Sequence, residues 1–404
     1  MTVMERPLST KEKKKEGMFY DLACSTWGQE ELDAIQRVVD SGRFTMGENV
    51  KRFEEAFARK FGVKHALMVS SGSTANLVGI AALFYKKERP LQRGDEIIVP
   101  SISWATTYYP LQQYGLKLRF LDVELETLNM DVSKLEQALT PRTRAVVAVS
   151  ILGNPCALDV MRKFCDKHGL YFFEDNCESM GAELNGKQCG TFGDIGTYST
   201  FFSHHISTME GGVLVTNDSE LYHLARSIRA HGWTRDVPES SIYEKRDDDF
   251  FEAYRFILPG YNARPLELSG AIGVEQLKKL DGMIEQRRRN AALFTKLFAG
   301  DDRFVIQREN GKSSWFSFTI ILNPKRGADR ARVMQTLKEA DIGFRIITGG
   351  NFLRHDVIKY FDYDCVGDIV NANIAHDRGF FVGNHPQDLS EQIETLHRVL
   401  TRMA

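Results

Sequence analysis

The chain has 404 residues, 43% of them apolar and 26% charged, which suits a folded protein with a substantial core and two unequal domains. Its 52 Lys and Arg against 54 Asp and Glu leave a net charge of -2, which excludes a broad positive field for nucleic acid and a strongly acidic tail. Six scattered cysteines without a CxxC pair argue against a disulfide scaffold and a zinc knuckle, and no apolar run reaches membrane-spanning length.

In chain order, residues 1–19 are mostly polar and lysine-rich and read as a mobile arm. EELDAIQRVVDSG and NVKRFEEAFARKFG carry apolar residues at helical spacing and end on glycine. HALMVSSGSTANLVGIAALFYK reads as strand, Gly/Ser turn and helix. DEIIVP, LKLRFLDVE, TRAVVAVSILGNP and GLYFFEDN read as further strands, with helical stretches between several of them. This alternation predicts a largely parallel sheet covered on both faces. GYNARPLELSGAIGVEQLKKLDGMIEQRRRNAALFTKLF reads as a long or broken helix leading out of that domain, and the remainder mixes strands and helices.

Five places in this pattern can carry chemistry. Ser70 to Asn76 join a strand end to a helix start, so backbone N–H groups and the hydroxyls of Ser73 and Thr74 can cradle an anion; a capped helix after a tight turn is the plain alternative. Asp175 and Glu178 follow a hydrophobic strand, where carboxylates often face a crevice; a structural salt bridge reads equally well. Trp104 lies just past another strand and suits either stacking on a flat group or covering the sheet edge. Asn262 and Arg264 in GYNARP are a turn and cap, or a donor pair for an anion. The most unusual stretch is SHHISTMEGG. His204 or His205 can move protons near neutral pH, or both can be structural. Adjacent histidines point apart and no HExxH pattern or cysteine pair completes a ligand set, so no metal is expected.

FTMGENVKRFEEAFARKFG, SSGSTAN, EDNCESMGA, TFGDIGTYSTF, ISTMEGG and GYNARPLELSGAIG, in this order and separation, resemble the DegT/DnrJ/EryC1/StrS family of pyridoxal-phosphate sugar enzymes over residues 20–402. The resemblance implies an α/β protein of fold-type I, similar to aspartate aminotransferase. Its parts would be a large, mostly parallel α/β/α sheet domain over 20–265, a linking helix over 266–300 and a small α+β domain over 301–404. It implies that Asp175 pairs with the pyridinium nitrogen of the cofactor, that Trp104 stacks on the ring, and that Gly72, Ser73, Thr74 and Ser199 hold the phosphate. Glu178 falls near the cofactor hydroxyl, and Asn262 would reach the phosphate of a neighbouring subunit, which implies a homodimer with shared sites. His205, His231, Arg264 and His385 are supporting or substrate-facing candidates.

One departure has a chemical consequence. Sugar aminotransferases of the family carry Lys in K-x-[LI]-T-T-G-E-G-G, and here His204 stands at that position while Met209 replaces the first glycine. Imidazole forms no stable Schiff base, so pyridoxal or pyridoxamine 5'-phosphate is expected to be held noncovalently. This pattern resembles the 3-dehydratases that remove the C3 hydroxyl of nucleotide-linked 4-keto-6-deoxy sugars, with a GDP-linked sugar ahead of CDP and dTDP. L-Glutamate is the expected amino donor. The sparse cysteines speak against an iron–sulfur cluster, so no partner reductase is expected. A sugar aminotransferase and a catalytically silent cofactor-binding protein are the alternatives. The cytoplasm is the expected location.

Overall fold

A long helix, Glu267–Phe298, joins two sheets in the computed structural model, which describes residues 18–235, 237–238, 243–326 and 329–402. Residues 1–17 of the expected arm lie outside the described residues. In chain order the strands are β1 His65–Val69, β2 Glu96–Pro100, β3 Lys117–Leu121, β4 Thr143–Val149, β5 Tyr171–Asp175, β6 Glu183–Leu184 and β7 Lys187–Gln188. Then follow β8 Ile195–Ser199, β9 Gly212–Thr216, β10 Phe304–Ile306, β11 Ser317–Leu322, β12 Phe344–Arg345, β13 Tyr363–Cys365 and β14 Gly379–Gly383.

The large sheet has the order β1-β9-β8-β5-β4-β2-β3-β13. Its pairs from β13 through to β8 are parallel, and β9 alone runs against its neighbours. β2 and β5 are buried at every position, and β4 at all but Arg144, as expected for a sheet with helices on both faces. The sheet order and the crossover helices bring the C-terminal ends of β1, β2, β4 and β5 together, where such folds bind ligands.

The helix Glu48–Phe61 (hereafter the staple helix) presents Val50, Phe53, Phe57 and Phe61 at helical spacing to the long helix and to β1. The two helices approach closely at Gly270, where a Cβ would lie 2.5 Å from the Val50 nitrogen. Glu267, at the start of the long helix, accepts hydrogen bonds from the N–H groups of Gly47 and Asn49 at 2.7 and 2.6 Å, which caps the staple helix.

The second sheet, β10-β11-β14-β12, is wholly antiparallel. It shares a core of Phe294, Phe318, Phe380 and Leu396 with the long helix and with the final helix Ser390–Thr401. After β12 the chain crosses back, and β13 joins the edge of the large sheet beside β3. Asp364 pairs with Lys117 and Arg119 at 2.9 Å each, which fixes that edge. The polar FDYDC segment carries no strand pattern of its own, so the return is invisible to periodicity. Among the described residues no helix is long and apolar enough to cross a membrane.

Candidate active site

A cleft of about 400 Å³ opens at the C-terminal ends of β1, β4, β5 and β8. Of the residues singled out from sequence, Gly72, Ser73, Trp104, Asp175, Glu178, Ser199 and His204 line it. The sheet gathers them because each follows or ends a strand, or sits in the loop between β8 and β9.

One end of the cleft is the start of helix Gly72–Phe84. Ser71 is its N-cap and accepts from the Thr74 N–H at 3.1 Å. Thr74 turns its hydroxyl back to the cap, accepting from the Ser71 N–H and donating to the Ser71 carbonyl, each at 2.9 Å. It therefore stiffens the turn and does not line the cleft, which a capping box accounts for. Ser73 does reach the cleft, donating to Thr106 at 2.8 Å, and Thr106 is a lining hydroxyl that sequence reasoning missed. Its only signal was its place in the first turn of helix Ala105–Gln113, which follows β2. Gly72 is required here, because a Cβ would meet Cys177 Sγ at 2.7 Å and Ser199 Cβ at 2.8 Å. Backbone and small hydroxyls at a helix N-terminus make a concave anion cradle.

Asp175 forms the floor and is buried. Its Oδ2 accepts from Asn76 Nδ2 at 2.8 Å and Thr107 Oγ1 at 2.7 Å, and its Oδ1 from the Cys177 N–H at 3.1 Å. Thr197 fixes Asn76 in turn through a 2.6 Å hydrogen bond. All these partners are neutral, so the structural salt bridge that sequence left open does not form among the described residues. A buried carboxylate with neutral partners is electrostatically incomplete, and a cation seated in the cleft completes it.

Glu178 lies beside Asp175. Its Oε2 accepts from the Leu152 N–H at 3.1 Å and from Thr348 Oγ1 at 3.3 Å. Burial pushes its carboxyl up to about 7, with the Asp175 charge adding to the rise and the two hydrogen bonds opposing it. Thr348 comes from beyond β12, and no sequence motif marks it.

His204 enters from the loop between β8 and β9, and its ring meets Phe316 edge-on at 5.1 Å. Its Nδ1 is buried without a hydrogen-bond partner. Burial, then the nearby Arg287 guanidinium, pull the imidazole down to about 4, so the ring is neutral at ordinary pH. Met209, where the family pattern has glycine, keeps a left-handed backbone with φ of 67°.

The remaining candidates lie outside the cleft lining. His205 is buried with Nε2 3.2 Å from the Ser314 carbonyl oxygen, a structural position. His385 is buried at the end of β14, and His231 packs its ring on Trp233 at 4.7 Å. Arg264 donates to the exposed Asn262 at 3.0 Å and lies over the Trp233 ring.

These residues fit the pyridoxal phosphate group that the sequence resemblance implies. Asp175 lacks a cation, the Gly72 turn leaves room that a Cβ would fill, and Trp104 is 60% exposed at the cleft, free to cover a ring. Among the described residues the lining contains no lysine. Among the described residues no group of three or more metal-ligating side chains forms either.

The chain as a whole is similar to proteins of known activity. A GDP-4-keto-6-deoxy-D-mannose 3-dehydratase of Yersinia pseudotuberculosis is 54% identical over 386 residues, 95% of this chain and 98% of that one. The structure of the E. coli GDP-4-keto-6-deoxy-D-mannose-3-dehydratase with bound hydrated PLP superposes with a TM-score of 0.93 at 51% identity, covering 95% of this chain and 100% of the other. A GDP-4-keto-6-deoxymannose-3-dehydratase with a trapped PLP-glutamate geminal diamine matches with the same TM-score and identity over 94% and 100%. The model of the DegT/DnrJ/EryC1/StrS aminotransferases matches residues 25–401. The chain belongs to that family.

Proposed function

We propose that this chain removes the C3 hydroxyl of GDP-4-keto-6-deoxy-D-mannose, yielding the 4-keto-3,6-dideoxy sugar and ammonia. The cofactor is pyridoxal/pyridoxamine 5'-phosphate, and L-glutamate restores its amine form. The observation that carries this reading is His204 in a cleft without lysine, in a chain 54% identical to an enzyme named for that reaction. When bound, the cofactor would supply an amine for the C4 ketone and a conjugated ring that would relay the electron pair freed by proton loss at C4' toward C3 as the C–O bond breaks.

Asp175 keeps the ring nitrogen protonated, because its carboxylate has only neutral partners and gains most from a cation. Trp104 covers the ring face, and Gly72, Ser73 and Ser199 cradle the phosphate. His204, neutral and unpartnered at Nδ1, takes the proton from the C4' carbon of the cofactor and delivers one to the departing hydroxyl. A lysine there would capture the cofactor between turnovers, and an imidazole does not. The exposed Asn262 supports a role toward the phosphate of a second copy, in a homodimer with shared sites. We place the enzyme in the cytoplasm, in keeping with six free cysteines and a nucleotide-sugar substrate.

The test is a product mass assay with purified protein, pyridoxal phosphate and L-glutamate, run separately on GDP-, CDP- and dTDP-linked 4-keto-6-deoxyhexoses without a reductase. Loss of about 16 Da marks C3 deoxygenation and identifies the nucleotide. A gain of about 1 Da marks ketone-to-amine transfer and would sink the dehydratase reading.

A further inference from the structure

Behind the cleft, the long helix buries a cation that the mechanism above does not use. Arg287 is 3% exposed, and its hydrogen bonds go to the carbonyl oxygens of Phe316, at 3.1 Å, and Asn384. No carboxylate pairs with it among the described residues, and its Nε has no partner. Such a charge is costly to bury, and backbone carbonyls offset only part of that cost.

The groups that feel this charge come from three parts of the chain. They are Cys24 from the N-terminal segment, His204 and His205 from the site loop, and His385 after β14, while Asp21 acts on Cys24 and His385 and Arg288 on His205. Three of them are imidazoles with buried, unpartnered Nδ1 atoms. The connection to the cleft is one residue. Phe316 gives its carbonyl to Arg287 and its ring to His204 and His205, at 5.1 and 5.6 Å.

We propose that Arg287 is a positioning residue for His204: it sets an uncompensated charge behind the Phe316 ring against which His204 packs, and its hydrogen bond to the Phe316 carbonyl fixes that ring. The role in turnover rests on reading His204 as the proton carrier. The electrostatic arrangement does not. A guanidinium near a desolvated imidazole disfavours a second positive charge, so the base stays ready as the pH falls.

The experiment follows the imidazole signals of the full chain by ¹⁵N-resolved NMR as the pH is lowered, with His204 assigned from His204→Asn. In the unaltered chain the His204 midpoint lies well below its ordinary 6.5. Arg287→Gln, which removes the charge, raises that midpoint by about one pH unit. Arg287→Lys, which keeps the charge, leaves it near the parent value. A purely structural brace would change thermal stability in both variants without separating their midpoints. An ordinary midpoint in the unaltered chain, or equal midpoints in all three proteins, overturns the proposal. If Arg287→Gln does not fold, Arg287→Lys decides, since a rise to the ordinary value there overturns it too. The mass assay is independent: a missing 3-deoxy product defeats the functional reading while the titration still stands.

Discussion

Glu178 and Thr348, 170 residues apart in sequence, share a hydrogen bond of 3.3 Å at the cleft. The same carboxyl oxygen accepts from the Leu152 N–H, and both Leu152 and Thr348 sit in the left-handed region, at φ of 52° and 41°. Each such non-glycine residue stores roughly 1–3 kcal/mol of strain, and one carboxyl holds two of them at the site. Glu178 thus couples the loop after β4 to the segment after β12.

That arrangement predicts a distinct pH response. The carboxyl of Glu178 is raised from 4.5 to about 7, so between those values the folded state keeps a proton that the unfolded state releases. Its contribution to stability is full below 4.5 and is lost as the pH rises through about 7. Glu178→Gln keeps an acceptor oxygen without titrating. It should therefore gain stability relative to the parent on going from acidic to mildly alkaline buffer, as read from thermal midpoints at both pH values. A constant difference between the two proteins would contradict this.

The histidines act in the opposite sense. Burial, then Arg287, lower His204 and His385 to about 4 and His205 well below its ordinary value. The unfolded chain takes up protons near 6.5 that the folded chain refuses. Stability is full above that value and falls as the pH drops toward about 4, by up to about 1.4 kcal/mol per pH unit for each imidazole. Denaturant midpoints across this range should show the slope, and His385→Asn should reduce it.

His204→Asn should cost roughly 10²–10⁴-fold in dehydration rate, the usual worth of a general acid–base group. Cofactor binding should be largely kept, because the phosphate cradle and Asp175 are untouched. Stopped-flow rates together with the visible absorbance of bound cofactor separate the two effects. Retained turnover would remove His204 from its role.

Asp175→Asn should weaken the hold on the ring nitrogen. The oxygen of the amide can still accept from Asn76 and Thr107, but its NH₂ group then faces the Cys177 N–H, which loses its acceptor. An unsatisfied buried donor costs about 1–3 kcal/mol, and the loss of negative charge removes the preference for a protonated ring. Cofactor retention on dialysis and the rate of the glutamate half-reaction should both fall.

Gly72→Ala places a methyl group against Cys177 Sγ and Ser199 Cβ. Overpacking of this kind costs about 1–3 kcal/mol, and the turn must shift at the phosphate cradle. A lower thermal midpoint together with weaker cofactor binding is expected. Normal values for both would show that the turn relaxes without consequence.

Apolar periodicity was enough to place the strands from His65 to Asp175, the staple helix and the long helix, because burial on both sides of a parallel sheet leaves its mark residue by residue. The His204 substitution was also legible, since replacing an amine by an imidazole changes chemistry wherever the side chain points. Only the tertiary structure decided that Thr74 caps a helix while Thr106 faces the cleft, since turn sequence does not set hydroxyl direction. Thr348, Phe316 and Arg287 gather around the site from beyond the large sheet, and β13 returns to its edge without a strand pattern. Such long-range neighbours follow from how the helices and sheets pack, which local periodicity does not encode.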